Sequence, residues 1–327
     1  MKAFTYTRAE TEQEAIAAIV KMPQSVYLGG GTNLIDLMKM AVALPSQLVD
    51  INPVPLNTIE EHDGGLRIGA MVRNSDAANH PLVRQHYPIL AQAILAGASP
   101  QLRNMATMGG NLMQRTRCYY FYDPTYKECN KRTPGSGCAA KDGINRIHAI
   151  LGASEQCIAT HPSDMCVALA ALQAVVHVRG QRGERTIPFA DFHRLPGNTP
   201  QIDTNLQPGE LITAIDLPAN NFAARSYYLK TRDRNSYAFA LVSVAALLDL
   251  DSSGKIRDVR MALGGVAHKP WRIPEAERQM AGKNASEDVY RRAAAVLLQG
   301  AKPYSGNAFK VELARKSIVR ALTKAAA

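Results

Sequence analysis

Long hydrophobic runs are missing from this 327-residue chain. No stretch approaches the about eighteen consecutive apolar residues that cross a bilayer, so membrane insertion is not expected. The opening stretch, MKAFTYTRAETEQEA, has a single lysine and no apolar core, so no secretory signal is expected there. Cysteine is scarce: five residues, an odd number, exclude a disulfide-stapled scaffold and point instead to metal or redox chemistry. Several signatures are also absent. There is no H-E-x-x-H for a catalytic metal, no G-x-S-x-G nucleophile elbow for hydrolysis, no G-x-G-x-x-G and no P-loop. Internal repeats and low-complexity linkers are absent too.

The net charge of +10 invites a nucleic-acid reading. The basic residues are scattered, however, and no Lys/Arg stripe alternates with aromatics, so an acidic cofactor or acidic partner subunit fits better. Apolar content of 46% and charged content of 20% are those of an ordinary globular chain, long enough for two or three domains.

Residues 1–55 read as a β-α-β-α-β unit. Thr11 and Glu14 form a capping pattern before AIAAIV, SVYL reads as a strand, GGGTN as a tight turn, LIDLMKM as a helix and QLVDI as a strand. Residues 56–220 mix short strands such as LRIGAMV and GELITAIDLP with helical ILAQAILAGA and with DMCVALAALQAVVHV, a helix running into a strand. From 221 to 327 longer strands, SYYLKTR, FALVSVAALLDLD and KIRDVRMALGGV, predict an antiparallel sheet. Two helices follow, near 285–301, with Ser286 as a candidate N-cap, and 307–325. The expected class is α+β: a small β-α-β unit, a mixed α/β subdomain, and a C-terminal antiparallel sheet with helices.

Two glycine-rich turns stand out. In VYLGGGTNL, Gly29, Gly30 and Gly31 lack Cβ atoms and let backbone N–H groups approach an anion, while Thr32 and Asn33 add side-chain donors. In NMATMGGNL, Thr107, Gly109, Gly110 and Asn111 repeat that mixture. Two such turns suit a ligand with a pyrophosphate and further polar parts. A purely structural glycine turn is the alternative for each.

Between them and the next helix lies CYYFYDPTYKECNKRTPGSGC. With Cys157 it spaces four thiols as C-x10-C-x8-C-x18-C, in a stretch without helix or strand rhythm. No C-x-x-C knuckle is present. The residues alone leave open an iron–sulfur cluster, a structural zinc, or free or paired thiols. Tyr119, Tyr120, Phe121 and Tyr122 are candidates to shield such a centre, and His148 and His161 lie close enough in sequence to tune it or replace a ligand. Cys166, on apolar MCVALAAL, is expected to pack as a small hydrophobe. His268-Lys269-Pro270-Trp271 holds the only tryptophan and is expected to pack in the C-terminal block.

YLGGGTNLIDLMK, SPQLRNMATMGGNL and HPSDMCVALAAL, in this order, resemble the flavin-binding subunit or domain of the molybdenum hydroxylases, and ALGGVAHKPWRIPEAE resembles that family's separate C-terminal domain. The resemblance spans nearly the whole chain and is strongest to flavin subunits of bacterial periplasmic aldehyde oxidoreductases. It implies an oxidoreductase subunit that binds FAD through Val26, Tyr27, Leu28, Gly29, Gly30, Gly31, Thr32, Asn33 and Leu34 at the diphosphate. Thr107, Gly109, Gly110 and Asn111 would lie at the phosphate and ribityl, and Asp164 at the polyol. Ile212, Lys230 and Gly97 would line the flavin. No catalytic residue is implied in this chain. The added segment 113–160 resembles insertions that carry a [4Fe–4S] cluster in some flavin subunits, which would make Cys118, Cys129, Cys138 and Cys157 its ligands. Implied partners are a large molybdenum-cofactor subunit and a small subunit with [2Fe–2S] centres, in a heterotrimer. Location is expected to be the periplasm, by co-export with a signal-bearing partner, with the cytoplasm as the alternative. The competing expectations are a metal-stabilised scaffold without flavin and a stand-alone flavin oxidase.

Overall fold

A computed structural model describes the whole chain, Met1–Ala327. It contains three sheets, drawn in turn from three successive stretches of sequence. The first is parallel, with β1 (Thr5–Arg8), β2 (Ser25–Leu28) and β3 (Gln47–Asp50) in the order β1-β3-β2. Parallel neighbours need crossovers. The helices Glu12–Lys21 and Leu34–Lys39 supply them, and β3 inserts between the other two strands. All four β3 residues are consequently buried. Thr11 caps the first helix by accepting the Glu14 N–H at 3.2 Å, while the Glu14 carboxylate reaches one residue further back, to the Glu10 N–H at 2.8 Å.

The second sheet is antiparallel and five-stranded. β4 (Ile59–His62), β5 (Gly65–Gly69), β6 (Val175–Gly180), β7 (Gly183–Pro188) and β8 (Leu211–Leu217) lie in the order β4-β5-β8-β6-β7. Helices Pro88–Ala96 and Asp164–Ala171 belong to its core; every residue of the latter is buried, which is why its sequence has no polar face.

The third sheet joins β9 (Ser226–Thr231), β10 (Val242–Leu250) and β11 (Ile256–Gly264) in the order β11-β10-β9. Along β10, Val244, Ala246 and Leu248 face the two C-terminal helices, Glu287–Leu297 and Phe309–Ala326. Ala245 and Leu247 face the core that contains helix Asp164–Ala171. A central strand covered on both sides needs apolar residues at consecutive positions, and VSVAALL provides them. Trp271 packs with the C-terminal helices and donates its indole N–H to the Leu297 carbonyl at 3.0 Å. Ser286 takes the N-cap backbone conformation without a side-chain cap bond.

The segment 113–160 has one short helix, Tyr119–Tyr122, and isolated bridges pairing Cys129 with Cys138 and Ser154 with Cys157; the remainder is turns and loop. It is nonetheless folded around its own small core of Cys118, Tyr120, Phe121, Cys129, Cys157 and Ile158. No helix of the protein is long and apolar enough to cross a membrane.

Candidate functional site

The two glycine turns lie against each other, and glycine is what allows it. A Cβ on Gly30 would sit 1.9 Å from the Met105 carbonyl oxygen, and one on Gly29 would sit 3.1 Å from Thr107 Oγ1. Gly31, at φ +72°, turns the chain into helix Leu34–Lys39 through a conformation that side chains disfavour. Asn52 braces the turn by donating to the Gly29 carbonyl at 3.0 Å, and Arg73 donates in turn to Asn52 Oδ1 at 3.0 Å.

The turns have different jobs. None of the backbone N–H groups from Gly29 to Leu34 donates to an acceptor within the protein. A row of free amide donors at closely packed glycines is a fitting cradle for a diphosphate. In the second turn the amides are spent internally. Met108 N–H donates to the Val72 carbonyl at 2.9 Å, Gly109 to Ala70 at 2.8 Å and Asn111 to Thr107 at 2.8 Å. The Thr107 hydroxyl accepts the Gly110 N–H at 3.1 Å, capping the short helix Met108–Leu112. The Asn111 amide is also engaged: it donates to Asn74 Oδ1 at 3.0 Å and accepts from Ser163 Oγ at 2.6 Å. Asn33 likewise holds the segment 113–160, accepting the Arg115 N–H at 2.8 Å and donating to the Tyr122 hydroxyl at 2.9 Å. Val26, Tyr27 and Leu28 lead into the open turn along β2.

Asp164 opens the buried helix that follows Ser163. Its carboxylate is held by Lys230 Nζ at 2.7 Å and the Tyr228 hydroxyl at 2.7 Å, with the Lys230 and Asp164 side chains only 5% and 7% exposed. Lys230 is therefore a buried partner of Asp164 rather than a solvated strand lysine. A Cβ on Gly97 would stand 3.1 Å from Asp164 Oδ2, so Gly97 borders the same carboxylate; Ile212 is buried on β8 within the second-sheet core. Tyr228 was not among the residues singled out from sequence. Its position two residues before Lys230, on the same face of β9, is the signal that could have found it. Replacing Lys230 with methionine leaves the Asp164 carboxylate buried with a single hydroxyl donor. A stability loss of about 3–5 kcal/mol, read by chemical denaturation, is expected, with weakened flavin retention.

Cys118, Cys129, Cys138 and Cys157 all line one small cavity, together with Tyr120, Phe121 and Lys131. None forms a disulfide, and three of the four are buried, with Cys138 partly so. Burial pushes the Cys118 thiol up to about 12 and Cys157 to about 11, and raises Cys138 as well, so thiolates form here only where a cation compensates them. A single tetrahedral zinc, about 2.3 Å from each sulfur, would draw the sulfurs to within roughly 4 Å of one another. Four thiols around one cavity are the soft donor set of a metal centre. Of the aromatic quartet, Phe121 and Tyr120 are buried against the cysteines, whereas Tyr119 is 49% exposed. Buried Lys131 anchors the cavity wall: its ammonium pairs with Asp203 and donates to the Pro200 carbonyl at 2.7 Å. Burial opposes the Asp203 carboxylate, but Lys131 and then Arg115, at 2.8 Å, outweigh it and hold its pKa well below the usual carboxylate range.

His161, Cys166 and His193 do place ligand atoms within 4.8 Å of one another. Their hydrogen inventory is already complementary. His193 donates Nε2–H to the Leu112 carbonyl at 2.9 Å and His161 Nδ1 accepts the Ser163 N–H at 3.3 Å, which leaves one N–H and one lone pair on the facing nitrogens. Cys166 is fully buried in the apolar core, as a packing residue would be. Burial pushes His161 well below its ordinary value, and His193 and His268 to about 4. Unfolded imidazoles titrate near about 6.5, so the unfolded chain binds more protons and stability rises with pH. This contribution is complete above about 6.5 and is lost as pH falls toward 4. Unfolding midpoints measured across that window are expected to fall, with up to three protons taken up on unfolding from these residues.

Residues 2–220 match the family described as the FAD binding domain in molybdopterin dehydrogenase, and residues 227–325 match the CO dehydrogenase flavoprotein C-terminal domain. The chain is 52% identical to the aldehyde oxidoreductase FAD-binding subunit PaoB of Escherichia coli (strain K12), covering 100% of this chain and 99% of that one. It is 28% identical to the glyceraldehyde dehydrogenase medium chain of Sulfolobus acidocaldarius, over 98% of this chain and 95% of the other. Among solved structures, quinoline 2-oxidoreductase from Pseudomonas putida 86 matches with a TM-score of 0.77 at 26% identity, covering 100% and 98% of the two chains. Carbon monoxide dehydrogenase from Hydrogenophaga pseudoflava matches with a TM-score of 0.76 at 27% identity, covering 98% and 96%. By descent and by architecture, this chain belongs to the FAD-binding medium subunits of the molybdenum hydroxylases, and is an oxidoreductase subunit of that family.

Proposed function

We propose that this chain carries a [4Fe–4S] cluster as well as FAD and serves as the electron-transfer subunit of a molybdenum-dependent aldehyde oxidoreductase. The observation that supports the cluster is the convergence of four unpaired thiols from the segment 113–160 on a common cavity. Aldehyde chemistry is favoured because two relatives, PaoB and the glyceraldehyde dehydrogenase medium chain, bear names that specify aldehyde-oxidising enzymes.

FAD supplies the exchange between two-electron and one-electron transfer, and an iron–sulfur cluster supplies one-electron storage. This chain's own residues bind and orient. The free amides of 29–34 hold the diphosphate, with the second glycine turn as the wall behind them. Asp164, fixed by Tyr228 and Lys230, orients the polyol beside Gly97, with Ile212 lining the flavin. Cys118, Cys129, Cys138 and Cys157 ligate the cluster, screened by Phe121 and Tyr120. No side chain here acts on the organic substrate, whose oxidation belongs to a large molybdenum-cofactor subunit. Electrons arrive through a small subunit with two [2Fe–2S] centres and leave to an external acceptor. Residues 1–55 and 56–220 form the two FAD-binding subdomains, 113–160 the cluster insertion and 221–327 the C-terminal domain. The complex is a heterotrimer that reaches the periplasm on a partner's export signal.

Anaerobic co-purification from the native host, with flavin, iron, acid-labile sulfide and molybdenum analysis, tests the reading. FAD, iron and sulfide on this chain, eluting with two further subunits and molybdenum, is the expected result. Zinc in place of iron overturns the cluster, and elution alone with no associated subunits overturns the complex.

A further inference from the structure

One buried imidazole is aimed at the cysteine cavity. His148 is 0% exposed, and its Nε2 lies 3.1 Å from Cys118 Sγ, while its Nδ1 has no protein partner. A metal-bound thiolate can only accept a hydrogen bond, so beside a loaded cluster the neutral ring keeps its one proton on Nε2 and donates it to sulfur. The ring is not free to swing away. Tyr119 and Tyr120 flank it with ring centroids 6.5 and 6.4 Å distant.

Its backbone is clamped from the C-terminal layer. The His148 carbonyl accepts from Lys310 Nζ at 2.8 Å and from Asn307 Nδ2 at 3.2 Å. Lys310 also donates to the Gly265 carbonyl, and the next residues, Ile150 and Leu151, donate to the Val266 carbonyl at 2.9 and 3.0 Å. Lys310 is 0% exposed, and its side-chain nitrogen is spent on the His148 and Gly265 carbonyls, which ties the C-terminal helix to the His148 backbone.

We infer that His148 is a positioning residue that raises the reduction potential of the iron–sulfur centre by hydrogen-bonding Cys118, and that Lys310 holds it in place through the His148 carbonyl. The inference rests on the cluster reading above. A donor to a ligand sulfur stabilises the more negative reduced cluster relative to the oxidised one. The potential is thereby set partly by the C-terminal helix, outside the segment that supplies the ligands.

The test uses the full complex, purified anaerobically, with iron and sulfide per chain measured beside an EPR-monitored redox titration. His148→Phe is expected to keep its iron and show a lower cluster midpoint potential than wild type. His148→Gln, which retains an N–H for the sulfur, is expected to stay closer to wild type, and Lys310→Met to shift in the same direction as His148→Phe. A wild-type midpoint in iron-replete His148→Phe overturns the inference. Where that variant loses its iron, a wild-type midpoint in iron-replete Lys310→Met overturns it instead. Wild-type complex without iron is a different result, and removes the cluster reading itself.

Discussion

Replacing Gly30 with valine is expected to leave the chain without FAD. The new Cβ would stand 1.9 Å from the Met105 carbonyl oxygen and 2.6 Å from its carbon, contacts that no rotamer change relieves because both atoms are backbone. The two glycine turns must separate, and with them the row of free amides from Gly29 to Leu34 loses its supporting wall. Overpacking of this kind costs about 1–3 kcal/mol in a core, and more where backbone must move. Flavin per chain, measured after gel filtration, should fall from near stoichiometric to a small residue. Iron per chain should be largely retained, since Gly30 makes no contact with the cysteine cavity. A variant with full flavin occupancy would remove the first glycine turn from the cofactor site.

Cys129→Ser carries the second large effect, on the other centre. Cys129 sits at the start of a tight turn that returns to Cys138, with its N–H donating to Ser136 Oγ at 3.0 Å and its carbonyl accepting from Thr133 at 2.8 Å. Serine preserves that turn but removes a ligand, and altering even an outer-shell partner of a metal ligand lowers affinity about 10–100-fold. Iron and sulfide per chain should drop at least that steeply in protein exposed to a chelator. The segment 113–160 has little regular structure beyond its small core, so on the proposed cluster reading a bound metal would add to what holds it folded. Its susceptibility to limited proteolysis should therefore rise, while the flavin remains bound. Unchanged iron would strike Cys129 from the ligands.

The regular elements were legible because local pattern and tertiary environment agree. Thr11 with Glu14 announces the first helix; SVYL-GGGTN-LIDLMK announces a strand, a turn and a helix; the two-sided burial of β10 is written in its continuous apolar run. The family motifs marked the two glycine turns, which the fold packs against each other. The division of labour between the glycine turns was not legible, because both have the same composition. Only the packing shows that one keeps its amides free while the other spends them on Val72, Ala70 and Thr107.

The linear order of residues determined which chemistries are available: glycines that permit close backbone approach, and thiols too few for a disulfide scaffold yet gathered in one segment. It also determined family membership, since motifs depend on residue type and spacing. Tertiary structure decided partnership. Lys230 became the buried counterion of Asp164, Lys131 that of Asp203, and His148 the neighbour of Cys118, each pair joined across long stretches of chain. The reason is physical: a side chain's charge, hydrogen bonds and solvent exposure are set by what surrounds it in space, and for buried polar groups those neighbours come from other elements of the fold.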